Sequence, residues 1–149
     1  MEGKEKRIRL VVDTNVLFAA IINSGDDTAG IIFGDNVELY SPEFLEVEIA
    51  KYRELLMRKG KYEKAELLEE ALEHLLRRIT IIPLELYVDK IPDAIKATPD
   101  PKDSEFVALS MKLGCPLWTQ DKELIEAEGI QTITTKELLE KLEKGRYRS

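Results

Sequence analysis

The chain predicts an α/β fold, a mostly parallel sheet covered by helices on both faces, and three observations carry that expectation. Strand-like runs recur at Ile8–Val12, Val37–Tyr40, Ile79–Ile82, Leu117–Thr119 and Gln131–Ile133. Stretches with helical spacing lie between them, and such alternation marks strand–helix–strand crossovers. The 149 residues are 44% hydrophobic, which suits one domain over 1–149 with a substantial core.

Taken in order, Ile8–Val12 is apolar apart from Arg9 and reads as a fully buried strand. Val16–Ile22 reads as a helix just after it. Thr28–Phe33 is a second short helical piece, with Asp26, Asp27 and Thr28 supplying caps. After the strand Val37–Tyr40, Ser41 is expected as an N-cap and Pro42 as the first helical residue. That helix should run to about Arg58 and break at Lys59-Gly60-Lys61. The next, from about Tyr62 to Arg78, gathers Leu67, Leu68, Ala71, Leu72, Leu75 and Leu76 on one face. Pro83 stops the strand Ile79–Ile82, and a looser, proline-rich stretch follows to Pro101. A helix from about Asp103 to Leu113 ends on Gly114, a natural C-terminal cap. Helical patterns near Lys122–Glu126 and Lys136–Leu142 accompany the last two strands, and residues 144–149 read as a frayed basic tail.

Charge narrows the function. The 22 Lys and Arg against 29 Asp and Glu leave a net charge of −7, a poor basis for passive binding of nucleic acid. An enzyme whose acids are neutralised by bound metal is still allowed. The single Cys115 has no internal disulfide partner and reads as a small core residue. The polar start Met1–Lys6 shows no signal-peptide pattern, and the longest apolar stretch, Val16–Ile22, is too short for a bilayer, so a cytoplasmic protein is expected.

Four carboxylates sit where folding alone would not favour them. Asp13 follows the first strand and Asp121 the fourth, at strand ends where open α/β sheets build sites. Each could instead cap the helix after it. Glu48 shares a helical face with Phe44, Leu45 and Tyr52, whereas Glu46 falls on a solvated one. A carboxylate on an apolar face is expensive without a partner. Asp100 reads as an N-cap, with Pro101 next and Asp103 either its capping-box partner or a group facing a site. Glu123 is either a further ligand or surface. Thr14, Asn15 and Thr119 lie beside these acids, suited to hydrogen-bonding carboxylates or metal-bound waters. Oxygen-only clusters of this kind suit Mg²⁺ or Mn²⁺ and phosphoryl chemistry. The one histidine, His74, lies among charged residues, which removes Ser-His-Asp and Cys-His triads, and no glycine-rich phosphate loop is present. Trp118 reads as core.

Four segments together resemble the PIN-domain family of metal-dependent ribonucleases: Val11-Val12-Asp13-Thr14-Asn15-Val16-Leu17, Ser41-Pro42 through Glu48-Ile49, Asp100-Pro101-Lys102-Asp103-Ser104, and Leu117-Trp118-Thr119-Gln120-Asp121-Lys122-Glu123-Leu124. The resemblance implies a three-layer α/β/α fold with a parallel five-stranded sheet in the order 3-2-1-4-5. It implies Asp13, Glu48, Asp103 and Asp121 as acidic metal ligands, with Glu123 at a position that is often acidic. One or two Mg²⁺ or Mn²⁺ ions would then polarise a phosphate and lower the pKa of an attacking water. An endoribonuclease follows, with RNA as substrate. Many relatives are toxins of toxin–antitoxin pairs silenced by an antitoxin peptide or protein, and a homodimer is plausible from the many apolar helix positions. The rivals are a non-catalytic scaffold binding RNA or protein and a haloacid-dehalogenase-type phosphatase. The phosphatase motif needs a second Asp where this chain has Asn15. A phosphotransfer receiver domain finds no good match.

Overall fold

The computed structural model of the protein describes residues 7–147. Its first strand, β1 (Ile8–Val12), lies at the centre of the sheet. Leu10 and Val12 enter one core cluster and Val11 the other, as the two-residue repeat of a strand requires. Helices α1 (Thr14–Ile22) and α2 (Asp27–Ile32) lead to β2 (Val37–Pro42). Three helices, α3 (Phe44–Lys51), α4 (Arg53–Lys59) and α5 (Ala65–Leu76), precede β3 (Ile79–Ile82). Short 3₁₀ turns at Leu84–Leu86 and Val88–Lys90 then run into α6 (Ile91–Ala97). Another at Pro101–Asp103 opens α7 (Ser104–Leu113). The chain finishes with β4 (Leu117–Trp118), α8 (Lys122–Glu126), β5 (Thr132–Ile133) and α9 (Thr135–Tyr147).

All strand pairs are parallel and the order is β3-β2-β1-β4-β5, as the family resemblance implied. Leu17, Leu68, Leu72 and Leu138 cover one face of the sheet, while Ala94, Val107, Leu109 and Leu124 cover the other. The result is a three-layer α/β/α arrangement. The chain builds outward from β1 through β2 to β3, then returns to the opposite side of β1 for β4. The carboxyl ends of β1 and β4 therefore flank the point where strand order reverses, and a crevice opens there.

Several boundaries differ from the sequence expectation. Ser41 and Pro42 do not start a helix; they extend β2 and pair with Ile81 and Ile82 of β3. Pairing with β1 stops at Tyr40, so the missing N–H of Pro42 costs no ladder bond on that side. The following helix is broken at Tyr52 (φ −104°, ψ 15°), where the ring meets Phe18 edge-on at 5.9 Å. Neither Gly nor Pro marks that break in the sequence. The helix expected from Tyr62 begins at Ala65, and the loose stretch before Pro101 contains α6. Thr119 lies just beyond β4. The last helix runs through residues 144–147 of the basic tail, and residues 148–149 lie outside the described residues.

Other expectations hold. Trp118 and Cys115 are buried, and His74 is exposed with its ring stacked on Phe33. Gly114 ends α7 in the left-handed conformation, φ +65°. Among the described residues no helix is long and apolar enough to cross a membrane.

Candidate metal centre

The switch-point crevice brings together acids from four separate segments. Asp13 stands at the end of β1, held there by its backbone N–H, which donates to the Trp118 carbonyl of β4 at 3.0 Å. Although it precedes α1, its carboxylate makes no cap hydrogen bond. It accepts instead from Thr119 Oγ1 at 2.8 Å and is only 7% exposed. No cap hydrogen bond of normal geometry accounts for Asp13, although the Thr14 and Asn15 backbone N–H groups at the start of α1 still favour its charged form. Asp121 differs: its Oδ1 accepts from the Glu123 backbone N–H at 2.9 Å, so it does cap α8. Thr119 joins the two acids, because its hydroxyl donates to Asp13 and accepts from the Asp121 N–H at 3.1 Å.

Glu48 comes from α3 and is half-buried, while Glu46 on the same helix is exposed, as the helical face predicted. Thr14 Oγ1 donates to Glu48 Oε1 at 2.5 Å, which links the start of α1 to α3. Asp103 closes the turn before α7 without a side-chain cap bond, so it is not a capping-box partner. Asp100 takes the capping role expected of it, accepting from the Lys102 N–H at 3.0 Å. Glu123 is exposed, and its observed contribution is the backbone N–H given to Asp121. Thr14 and Thr119 thus orient acids, as anticipated. Asn15 is exposed on the rim and makes no side-chain hydrogen bond among the described residues.

The electrostatics follow from this crowding. Burial pushes Asp103 up to about 7, reinforced by the charges of Asp13, Asp100, Asp121 and Glu48. Asp13 is also raised, chiefly by burial; the Thr119 hydrogen bond opposes the shift and the Asp121 charge adds to it. Burial raises Glu48 too, against the Thr14 hydrogen bond and the cations Lys51 and Lys102. Carboxylates in this state resist ionising together, and cation binding relieves that repulsion.

Among the described residues, no three acidic, histidine or cysteine side chains stand close enough to form a ready-made coordination cage. The donor chemistry nevertheless fits a hydrated Mg²⁺ or Mn²⁺. Such ions keep several waters and need only one or two direct carboxylates. Asp13, Asp103 and Asp121 are the first candidates, with Glu48 reached across the crevice. A closed structural-zinc set of Cys and His is absent among the described residues, and oxygen donors select the harder ions.

Sequence reasoning missed four neighbours of the acids. Lys102 acts on Glu48 from between two aspartates, and its position beside Asp103 was the available signal. Gln120 and Thr28 line a cavity of about 260 Å³ together with Asp13 and Asp121. Thr28 lies distant in sequence from both strand ends, and only the fold brings it there. Ser104, directly after Asp103, keeps a buried hydroxyl without a hydrogen-bond partner.

Comparison with known proteins agrees with the fold. A family model described as "PIN domain" matches residues 11–143. No curated protein matches the chain. Among solved structures, the chain is similar to VapBC2 from Rickettsia felis, bound to a DNA fragment from its promoter. There the TM-score is 0.61 at 14% identity, covering 85% of this chain and 98% of that one. It is also similar to PAE2754 from Pyrobaculum aerophilum, with TM-score 0.62 at 18% identity, covering 92% and 90%. At these identities the likeness concerns the fold.

Proposed function

The chain belongs to the PIN-domain family, and from that membership and the acidic crevice we propose that it is a metal-dependent endoribonuclease. The observation that carries the reading is Asp13, a buried carboxylate held by Thr119 and set among the charges of Asp103, Asp121 and Glu48. Folding alone gives no reason to keep it there. PIN domains are in general nucleases that depend on divalent metal; RNA as substrate and Mg²⁺ or Mn²⁺ as the ion are our assignments.

Asp13, Asp103 and Asp121 would hold the ion, with Glu48 and Glu123 nearby as acidic ligands or water-orienting groups. When bound, the ion polarises a phosphodiester and acidifies water at neutral pH. Thr119 fixes the Asp13 carboxylate, and Thr14 fixes that of Glu48, so two acids keep their aim without rotamer loss during reaction. Lys51 and Lys102, the cations acting on Glu48, supply positive charge where an otherwise acidic molecule must meet a polyanion.

The similarity to VapBC2 supports a role as the toxin of a toxin–antitoxin pair, with an antitoxin peptide or protein as partner; a second copy of the chain as partner is proposed from its many apolar helix positions alone. The spread of the acids supports a second reading, a non-catalytic scaffold that binds RNA or protein. One experiment separates the two. End-labelled RNA is incubated with Mn²⁺, Mg²⁺ or EDTA, with Asp13→Asn beside wild type. The nuclease reading expects cutting that needs metal and falls by at least about a hundredfold in the variant, the scale of losing a main electrostatic group. Equal rates for the two proteins would sink the site assignment, and RNA binding without cutting would favour the scaffold.

A further inference from the structure

Val16 and Ala19 of α1, with Asn15, Thr28 and Gln120, line the cavity beside Asp13 and Asp121. Metal binding explains Asp13 and Asp121 but not the aliphatic residues or the amide. Gln120 has a defined orientation there. Its side-chain carbonyl accepts from the Thr135 backbone N–H at 2.8 Å, at the start of α9. A backbone N–H only donates, so the bonded atom is the amide oxygen. The amide nitrogen makes no hydrogen bond among the described residues and keeps two N–H donors beside the cavity.

Resting on the nuclease reading, we infer that this cavity receives a nucleobase next to the scissile phosphate, with Gln120 as the residue that determines its identity. Ala19, backed by the buried Val16, offers an apolar surface to the face of a planar heterocycle, and the cavity volume of about 260 Å³ leaves room for one base. Because the Gln120 oxygen is committed to Thr135, the side chain reads the base edge as a donor. It selects bases with a carbonyl at C4 of a pyrimidine or C6 of a purine, uracil and guanine, over those with an amino group there, cytosine and adenine. Asn15 is not tied in this way and discriminates less. The same amide free to rotate would accept from adenine or cytosine equally well, so the Thr135 bond is the device that sets the preference.

The test compares wild type, Gln120→Leu and Gln120→Glu on labelled decamers of uridine and of cytidine, and on otherwise abasic decamers carrying one guanine or one adenine. Affinity is read by fluorescence anisotropy in Ca²⁺, and cleavage is read separately in Mn²⁺. Wild type is expected to favour uridine over cytidine and guanine over adenine about fivefold, the worth of one net hydrogen bond. Gln120→Leu should bring both ratios to about one. Gln120→Glu keeps an oxygen for Thr135 but replaces the donors with an acceptor, so the ratios should invert. Its added charge weakens every oligonucleotide alike and cancels from a ratio. Wild-type ratios near one, ratios unchanged in both variants, or no binding of any decamer would overturn the inference. Metal-dependent cutting without base preference would leave the nuclease reading standing alone. Base preference that depends on Gln120, without cutting, would keep the pocket and remove the nuclease.

Discussion

Asp13 and Asp121 share a local setting, a carboxylate after a central strand and before a helix, yet their side chains do different work. Asp121 caps α8 and Asp13 does not cap α1. Substitution should expose the contrast. Asp121→Asn retains the cap, because Asn accepts the same N–H, and should melt within about 0.5 kcal/mol of wild type. Asp121→Ala should lose about 1 kcal/mol with the cap. Both should lose cleavage, and a denaturation curve beside a cleavage assay reads the two effects apart. Asp13→Asn removes a buried charge while leaving an oxygen for Thr119, so without metal it should be at least as stable as wild type. Residue by residue, the acids were legible because charged groups beside buried strands are rare. Their hydrogen-bond partners were not, since nothing local pairs Thr14 with Glu48 across 34 positions.

At the scale of elements, local chemistry located most segments and misplaced several ends. Ser41-Pro42 has the residues of a helix start, but pairing with β3 holds both in extended form. Helix propensity is worth tenths of a kcal/mol per residue and yields to such pairing. The break at Tyr52 coincides with an edge-on contact to Phe18 of another helix, a long-range neighbour that periodicity does not show. Gly114 shows the reverse case, where local chemistry is sufficient. Its φ of +65° is unfavourable for a residue with a Cβ, although an added methyl would meet no atom within 4 Å. Gly114→Ala should therefore lower stability by about 1 kcal/mol from backbone strain alone. A loss of several kcal/mol in a urea titration would mean that the turn is tighter than it is here.

Over the whole molecule, the acidic crevice trades stability for function, and pH should reveal it. Unfolded, Asp103 loses its proton near its ordinary value of 3.8, whereas in the fold it does so at about 7. Between those values the folded chain holds a proton that the unfolded chain has lost. Stability should therefore fall as pH rises through that window and reach its low level above it. The raised values of Asp13 and Glu48 act in the same direction. Without metal, the melting temperature should be lower at about pH 8 than at about pH 5 through these groups. Mn²⁺ should raise it more at the higher pH, where protons no longer compete for the oxygens. At a free concentration about a hundred times the dissociation constant, the gain should be about 2.7 kcal/mol. A metal-induced shift equal at both pH values, or absent, would count against a carboxylate site.

The sequence alone determined the strand–helix alternation, the buried residues 10–12 of β1 (Arg9 is exposed and Ile8 only partly buried), the cap at Gly114 and the four acids, since each rests on neighbours within a turn or a strand. Its likeness to a known family extended that reading to the strand order. Tertiary structure decided where β2 stops and α3 starts, that Asp13 faces Thr119 instead of its own helix, and that Thr28 and Gln120 share a cavity. The division has a physical cause. Periodicity and capping are short-range and written in adjacent residues, whereas the partner of a buried polar group is whichever distant segment the packed sheet brings within hydrogen-bond reach.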